Sequence, residues 1–203
     1  MDGAGTTVAI SGLTLTGGGG TRDGYDVTSD PHDGYGGAIL NFGNLTISNC
    51  TLGGNTPVYY TPGDTASDTG LRGNTAADAG GAIANFGTMT VSGCTLSGNS
   101  TNGFTDGLYF FGGGGIYNAG TMTVSGSNVV DNSAGSGGGI YNAGTMTVSS
   151  CYVQNNSDST TQGGGIYNAG TAAALTVSGS TFSGNSPDAI FGPYTDGGGN
   201  TFG

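Results

Sequence analysis

Residues 113–120 read Gly113-Gly114-Gly115-Ile116-Tyr117-Asn118-Ala119-Gly120, and the same string returns at 137–144 and 163–170. Two relatives precede it: Gly36-Gly37-Ala38-Ile39-Leu40-Asn41-Phe42-Gly43 and Gly80-Gly81-Ala82-Ile83-Ala84-Asn85-Phe86-Gly87. Self-similarity at this spacing is the mark of a solenoid, in which each repeat buries its apolar row only against its neighbours. Aligned on Ile39, Ile83, Ile116, Ile140 and Ile166, the intervals are 44, 33, 24 and 26 residues. The bare coil is therefore close to the shortest of these, and the excess is insertion.

Three short strands per coil are expected. The first centres on Ile-Tyr-Asn. The second alternates, with Met89/Val91, Met122/Val124, Met146/Val148 and Leu175/Val177 inward and the threonines between them outward. The third sends Leu52, Leu96, Val129, Val153 and Phe182 inward and turns at an asparagine. Strand and turn three times over gives an all-β, right-handed, single-stranded parallel β-helix of triangular section. Val8, Ile10, Leu13 and Leu15 add a coil at the start, and Ile190 and Phe191 begin one at the end, making about seven coils and a rod about 34 Å long. Two asparagine columns fall at the turns: Asn41, Asn85, Asn118, Asn142, Asn168, and Asn55, Asn99, Asn132, Asn156, Asn185. Stacked amides can bond from coil to coil and satisfy turn backbone.

The repeats resemble those of the polymorphic outer membrane protein type and the wider group of bacterial right-handed β-helix surface proteins. Gly36-Gly37-Ala38-Ile39 and Gly80-Gly81-Ala82-Ile83 match the Gly-Gly-Ala-Ile motif of that family, and Phe182-Ser183-Gly184-Asn185 matches its Phe-x-x-Asn. The resemblance covers roughly residues 7–186. It implies secretion, a cell-surface location and adhesion-like roles.

Composition narrows the function. A chain of 203 residues makes one domain, 1–203, or a segment of a longer array. Its net charge is −11, with no lysine or glutamate and only Arg22 and Arg72 as bases, which argues against nucleic acid and anionic membranes as partners. No apolar run is long enough to span a bilayer, and Met1-Asp2-Gly3 opens into the repeats without a visible signal peptide. Cys50, Cys94 and Cys151 share one inward position that Ser127 and Ser180 fill elsewhere. Small unpaired thiols suit it better than a Cys50–Cys94 bridge, whose side-chain vectors would run parallel.

The insertions, residues 18–35, 56–79 and 100–112, are expected at one corner, after the asparagine turn and before Gly-Gly. They carry Tyr25, Tyr35, Tyr59, Tyr60, Tyr109, Phe110 and Phe111, along with Phe104, His32 and both arginines. These aromatics can simply pack the loops onto the rod, or present a patch for a glycan or protein. Asp23, Asp26, Asp30 and Asp33 could gather hard oxygen ligands around calcium, although the spacing is not that of an EF-hand; otherwise no cofactor is expected. The same aspartates with His32 are the best catalytic candidates, but they crowd one irregular loop instead of flanking a substrate from successive coils. The expected protein is therefore not an enzyme. The outward Thr88/Thr90, Thr121/Thr123 and Thr145/Thr147 form an array that resembles the ice-facing side of β-solenoid antifreeze proteins, although threonine is also simply a good strand residue.

Neither end reads as a cap. This leads to the expectation of a non-catalytic extracellular structural protein, a surface or filament subunit associating head-to-tail with copies of itself. The alternative is an adhesin segment binding through the loop patch. A polysaccharide-active enzyme and an ice-binding protein stand behind both.

Overall fold

The computed structural model describes residues 7–20, 35–53, 75–76, 79–101, 112–159, 162–169 and 174–203. Over these residues the chain winds through seven coils of parallel strands, with no helix. A threonine face stacks seven strands: Thr7–Ser11, Asn44–Ser48, Thr88–Ser92, Thr121–Ser125, Thr145–Ser149, Ala174–Ser178 and Thr195–Asp196. A leucine face stacks seven more: Thr14–Leu15, Thr51–Gly53, Thr95–Ser97, Asn128–Val130, Tyr152–Gln154, Thr181–Ser183 and Thr201–Phe202. An isoleucine face holds six: Ile39–Asn41, Ile83–Asn85, Ile116–Asn118, Ile140–Asn142, Ile166–Asn168 and Ile190–Phe191. The expected alternation holds. Met89, Val91, Met122, Val124, Met146, Val148, Leu175 and Val177 are buried, as are Leu52, Leu96, Val129, Val153 and Phe182. Each inward aliphatic side chain contributes roughly 1.5–3 kcal/mol, and together they form one continuous core.

The section is not the expected triangle. A fourth sheet of five two-residue strands, Gly19–Gly20, Thr75–Ala76, Ser100–Thr101, Ser133–Ala134 and Ser157–Asp158, closes the corner after the second asparagine. Its strands run hard against the Gly-Gly backbone. A Cβ on Gly114 would lie 2.4 Å from the carbonyl oxygens of both Gly138 and Ser133, so no side chain fits between the two runs. The first glycine of the motif has a second reason. Gly113 has φ +81°, and a Cβ there would strike the Ile116 carbonyl oxygen. The repeated glycines are thus the condition for closing the corner.

This sheet also corrects the insertion boundaries. Gly19–Gly20, Thr75–Ala76 and Ser100–Thr101 belong to the coils, as do Tyr35 and Ala79, which form a parallel bridge. Counting coils from Thr7, with each later coil opening at its isoleucine strand, the chain departs from the repeat after the corner strand in coils one and three and before it in coil two.

Both asparagine columns are hydrogen-bonded ladders. In the first, each Nδ2 donates to the next Oδ1: Asn41 to Asn85 at 2.7 Å, Asn85 to Asn118 at 2.8 Å, Asn118 to Asn142 at 2.8 Å and Asn142 to Asn168 at 2.7 Å. The second runs Asn99, Asn132, Asn156, Asn185 at 2.9, 3.0 and 3.0 Å. There each Oδ1 also accepts the backbone N–H of the preceding asparagine. Asn55 lies outside the described residues.

The two ends differ, which corrects the expectation that neither is capped. In the first coil Ile10 and Leu15 pack on the core, while Leu13 is 51% exposed. In the last coil, Asp196 stands in register with Val177, at the end of the column Ile10, Ile47, Val91, Val124, Val148, Val177. Asn200 follows Ser180 in the column of small polar residues, accepting the Ser180 N–H at 3.0 Å. Asp196 accepts hydrogen bonds from the Gly198 N–H at 2.8 Å and from Asn200 Nδ2 at 2.6 Å. Two of the inward columns therefore end in a satisfied polar pair, a partial cap on an open β end, while the leucine column ends in Phe202, which is 47% exposed.

Candidate functional site

Of the proposed partner-binding residues, Tyr35 is described; Tyr25, Tyr59, Tyr60, Tyr109, Phe110 and Phe111 lie outside the described residues. So do Asp23, Asp26, Asp30 and Asp33 of the proposed calcium site, with His32, Arg22 and Arg72. Among the described residues no group of three or more His, Cys, Asp or Glu could hold a metal.

Tyr35 re-enters the coil at the foot of the first insertion. Its ring meets Phe86 edge-on at 5.4 Å and Tyr117 edge-on at 5.7 Å. Ala79, Ala84 and Tyr117 form a small buried cluster on the outside of the isoleucine face, with Tyr35, Phe86 and Tyr141 packed on it. The point of re-entry is thus packed on an aromatic cluster. Beside it, on the corner strand Ser100–Thr101, both hydroxyls are buried without a hydrogen-bond partner.

Tyr35 abuts a feature that runs most of the length of the rod. The expected stack of Tyr117, Tyr141 and Tyr167 is present, with centroids 5.5 and 4.9 Å apart. It continues to Phe191 at 5.4 Å and back through Phe86, at 5.8 Å from Tyr117, to Phe42 at 5.2 Å. One aromatic ring per coil is kept by a positional exchange. In coils two and three the residue before the buried asparagine is Leu40 or Ala84 and the one after it is Phe42 or Phe86. In coils four to six the order is reversed, as Tyr117/Ala119, Tyr141/Ala143 and Tyr167/Ala169. Both positions point outward, so either can supply the ring. Aligning Tyr on Tyr finds half of the ladder; counting aromatics on both outward positions would have found it all. Burial raises the Tyr117 phenol, and burial with the neighbouring Tyr167 and Tyr117 raises that of Tyr141.

The three cysteines are free and buried. Each does the work of the serines in its column. Cys94 Sγ donates to the Ser92 carbonyl at 3.3 Å and accepts the Cys50 N–H at 3.4 Å, as Ser127 Oγ donates to Ser125 at 2.9 Å and accepts the Cys94 N–H at 3.1 Å. Burial pushes the Cys94 and Cys151 thiols up, so both stay protonated and unreactive at neutral pH.

The threonine face is the most regular surface. Its register holds without a slip across five consecutive full-length pairings. One outward column reads Thr46, Thr90, Thr123, Thr147, Thr176, Thr195, and the next reads Ser11, Ser48, Ser92, Ser125, Ser149, Ser178. No outward residue of this face is charged.

A family model described as right-handed beta helix region matches residues 9–202. No curated protein and no solved structure matches the chain.

Proposed function

The chain belongs to the right-handed β-helix family, and on that premise we propose that it is a non-catalytic extracellular structural protein, a stiff surface or filament subunit that joins to copies of itself. The observation that carries this reading is the unbroken stacking. Core columns, two amide ladders and an outer aromatic ladder all run along one axis, so that bending the rod must disturb all of them together. The likeness of Gly36–Ile39 and Gly80–Ile83 to polymorphic outer membrane protein repeats supports a bacterial cell surface as its place.

The ends supply the means of association. Among the described residues, Thr7–Ser11 and Thr201–Phe202 are outermost strands of their sheets and pair on one side only. Such edges accept further strands. A head-to-tail joint would continue the columns, setting Leu15 against Phe202 and Ile10 against Asp196. The first contact is favourable and the second buries a carboxylate on an aliphatic side chain, so the joint is weak and depends on concentration. Sedimentation velocity and electron microscopy over a range of concentrations test this. Rods longer than one molecule are expected, lengthened by Asp196→Val and shortened by Leu13→Asp. Discrete monomers at every concentration, in both the natural sequence and Asp196→Val, would rule out self-association.

A second reading, a glycan- or protein-binding adhesin segment, is favoured by the Tyr35 anchor, which fixes the foot of the first insertion on the ladder. Calcium held by Asp23, Asp26, Asp30 and Asp33 would order the same loop. Binding to a glycan array that disappears on deleting residues 21–33, with the circular dichroism of the rod unchanged, would support it. Undiminished binding would remove it.

A further inference from the structure

We propose that the threonine face binds ice, an activity separate from the structural role and independent of it. The face is a rigid two-dimensional lattice. Along the axis the hydroxyls of one column repeat at the inter-strand distance of about 4.8 Å, and across it the next outward column lies two residues away, about 6.7 Å. Each threonine offers a methyl and a hydroxyl, and the serine column extends the same spacing. A single exposed hydroxyl holds water weakly. An array fixed in register holds many waters at once, and only a ligand with its own matching periodicity gains from all of them together. Ice is such a ligand, and it calls for neither charge nor a pocket.

The neighbouring face provides an internal control. Strand propensity alone would account for any β-branched or aromatic residue on an outward position. On the leucine face the outward pairs of coils three to five are Thr95/Ser97, Asn128/Val130 and Tyr152/Gln154. The fold therefore accepts amide, aliphatic and aromatic side chains outside. On the threonine face of the same coils the outward residues are Thr, Thr and Ser every time. The Thr and Ser columns persist in coils two and six, where the inward residues change to Leu45/Ile47 and Leu175/Val177. Uniformity on one face and variety on the next point to a constraint from outside the chain. A crystalline polysaccharide surface is periodic too, but its recognition calls for exposed rings, and the outward residues of this face include none.

The test is partition into slowly grown ice, with ice recrystallisation as a second readout, at micromolar protein. The natural sequence should concentrate in the ice and slow crystal growth. Thr123→Tyr keeps strand propensity but breaks the plane at its centre, and should be excluded; Thr90→Tyr serves the same purpose should the first variant fail to fold by circular dichroism. Val130→Tyr, on the leucine face, should behave as the natural sequence. Exclusion of the natural protein from ice, equal loss in Thr123→Tyr and Val130→Tyr, or retention on crystalline cellulose instead of ice would each overturn the proposal.

Discussion

Replacing Asn118 by Asp changes one amide to a carboxyl of nearly the same shape, in the middle of the first ladder, where the side chain is wholly buried. Packing is untouched; hydrogen bonding is not. Asn118 Nδ2 donates to Asn142 Oδ1 at 2.8 Å, to the Thr145 carbonyl at 3.1 Å and to the Gly120 carbonyl at 3.2 Å. A carboxylate there would face three acceptors with no hydrogen to give. The folded chain can escape only by keeping the acid protonated, which leaves one O–H for Asn142 and preserves the bond received from Asn85. Full burial raises a carboxyl pKa by up to about 3–5 units, and at neutral pH, about 3 units above the unfolded value, the penalty is about 4 kcal/mol. That is a large share of the whole stability of a domain, about 5–15 kcal/mol. The folded pKa is raised, so the penalty is absent below the unfolded value and grows as pH rises above it. Urea unfolding of Asn118→Asp and the natural sequence, followed by circular dichroism at acid and neutral pH, should show a small gap in acid and a large one at neutrality. A gap of equal size at both would refute the amide ladder as a source of stability.

Ser150 holds φ +53° where neighbouring coils have Gly93, Gly126 and Gly179, so Ser150→Gly should raise stability by ~0.5–1 kcal/mol in thermal or urea unfolding. Cys94→Ser should stay within about 1 kcal/mol of the natural protein, while Cys94→Val strands the Cys50 N–H and should cost about 1–3 kcal/mol. Burial raises the Tyr117 and Tyr141 phenols, so the unfolded chain loses those protons first. Stability is therefore unaffected below the ordinary phenol range near about 10 and falls as pH rises through it; Tyr141→Phe should flatten that decline.

The coil was legible because its inward positions carry a strict period: Met122/Val124 on one strand and Val129 on the next cannot be read in any other register without exposing them. The asparagines were legible for a similar reason, since a polar residue repeated at a turn needs a partner and the next coil provides one. The corner sheet was not legible, because two residues such as Ser133–Ala134 have no periodicity and their strand character comes from the Gly-Gly backbone beside them. The cap was missed because Asp196 reads as a turn residue until the pairing of Thr195 with Thr176 places it under Val177. Of the candidate site, the loops were legible only as departures from the repeat. Their residues follow no period, so spacing could not say which of them meet.

The parallel hydrogen bonds that join the coils all lie along the axis of the rod, and the chain passes from one end to the other a single coil at a time. Tension applied to the two termini would therefore open the bonds of the terminal coil in succession, never all the coils together. Each coil released would lengthen the chain by its own contour. The Asn118 to Asn142 repeat of 24 residues would yield about 80 Å, and the Asn41 to Asn85 repeat of 44 residues about 150 Å. A rod that is stiff at rest becomes, beyond a threshold load, a stepwise extensible tether. The sizes of its steps are set by the number of residues in each coil, so the length of an insertion decides how much slack the molecule releases under strain.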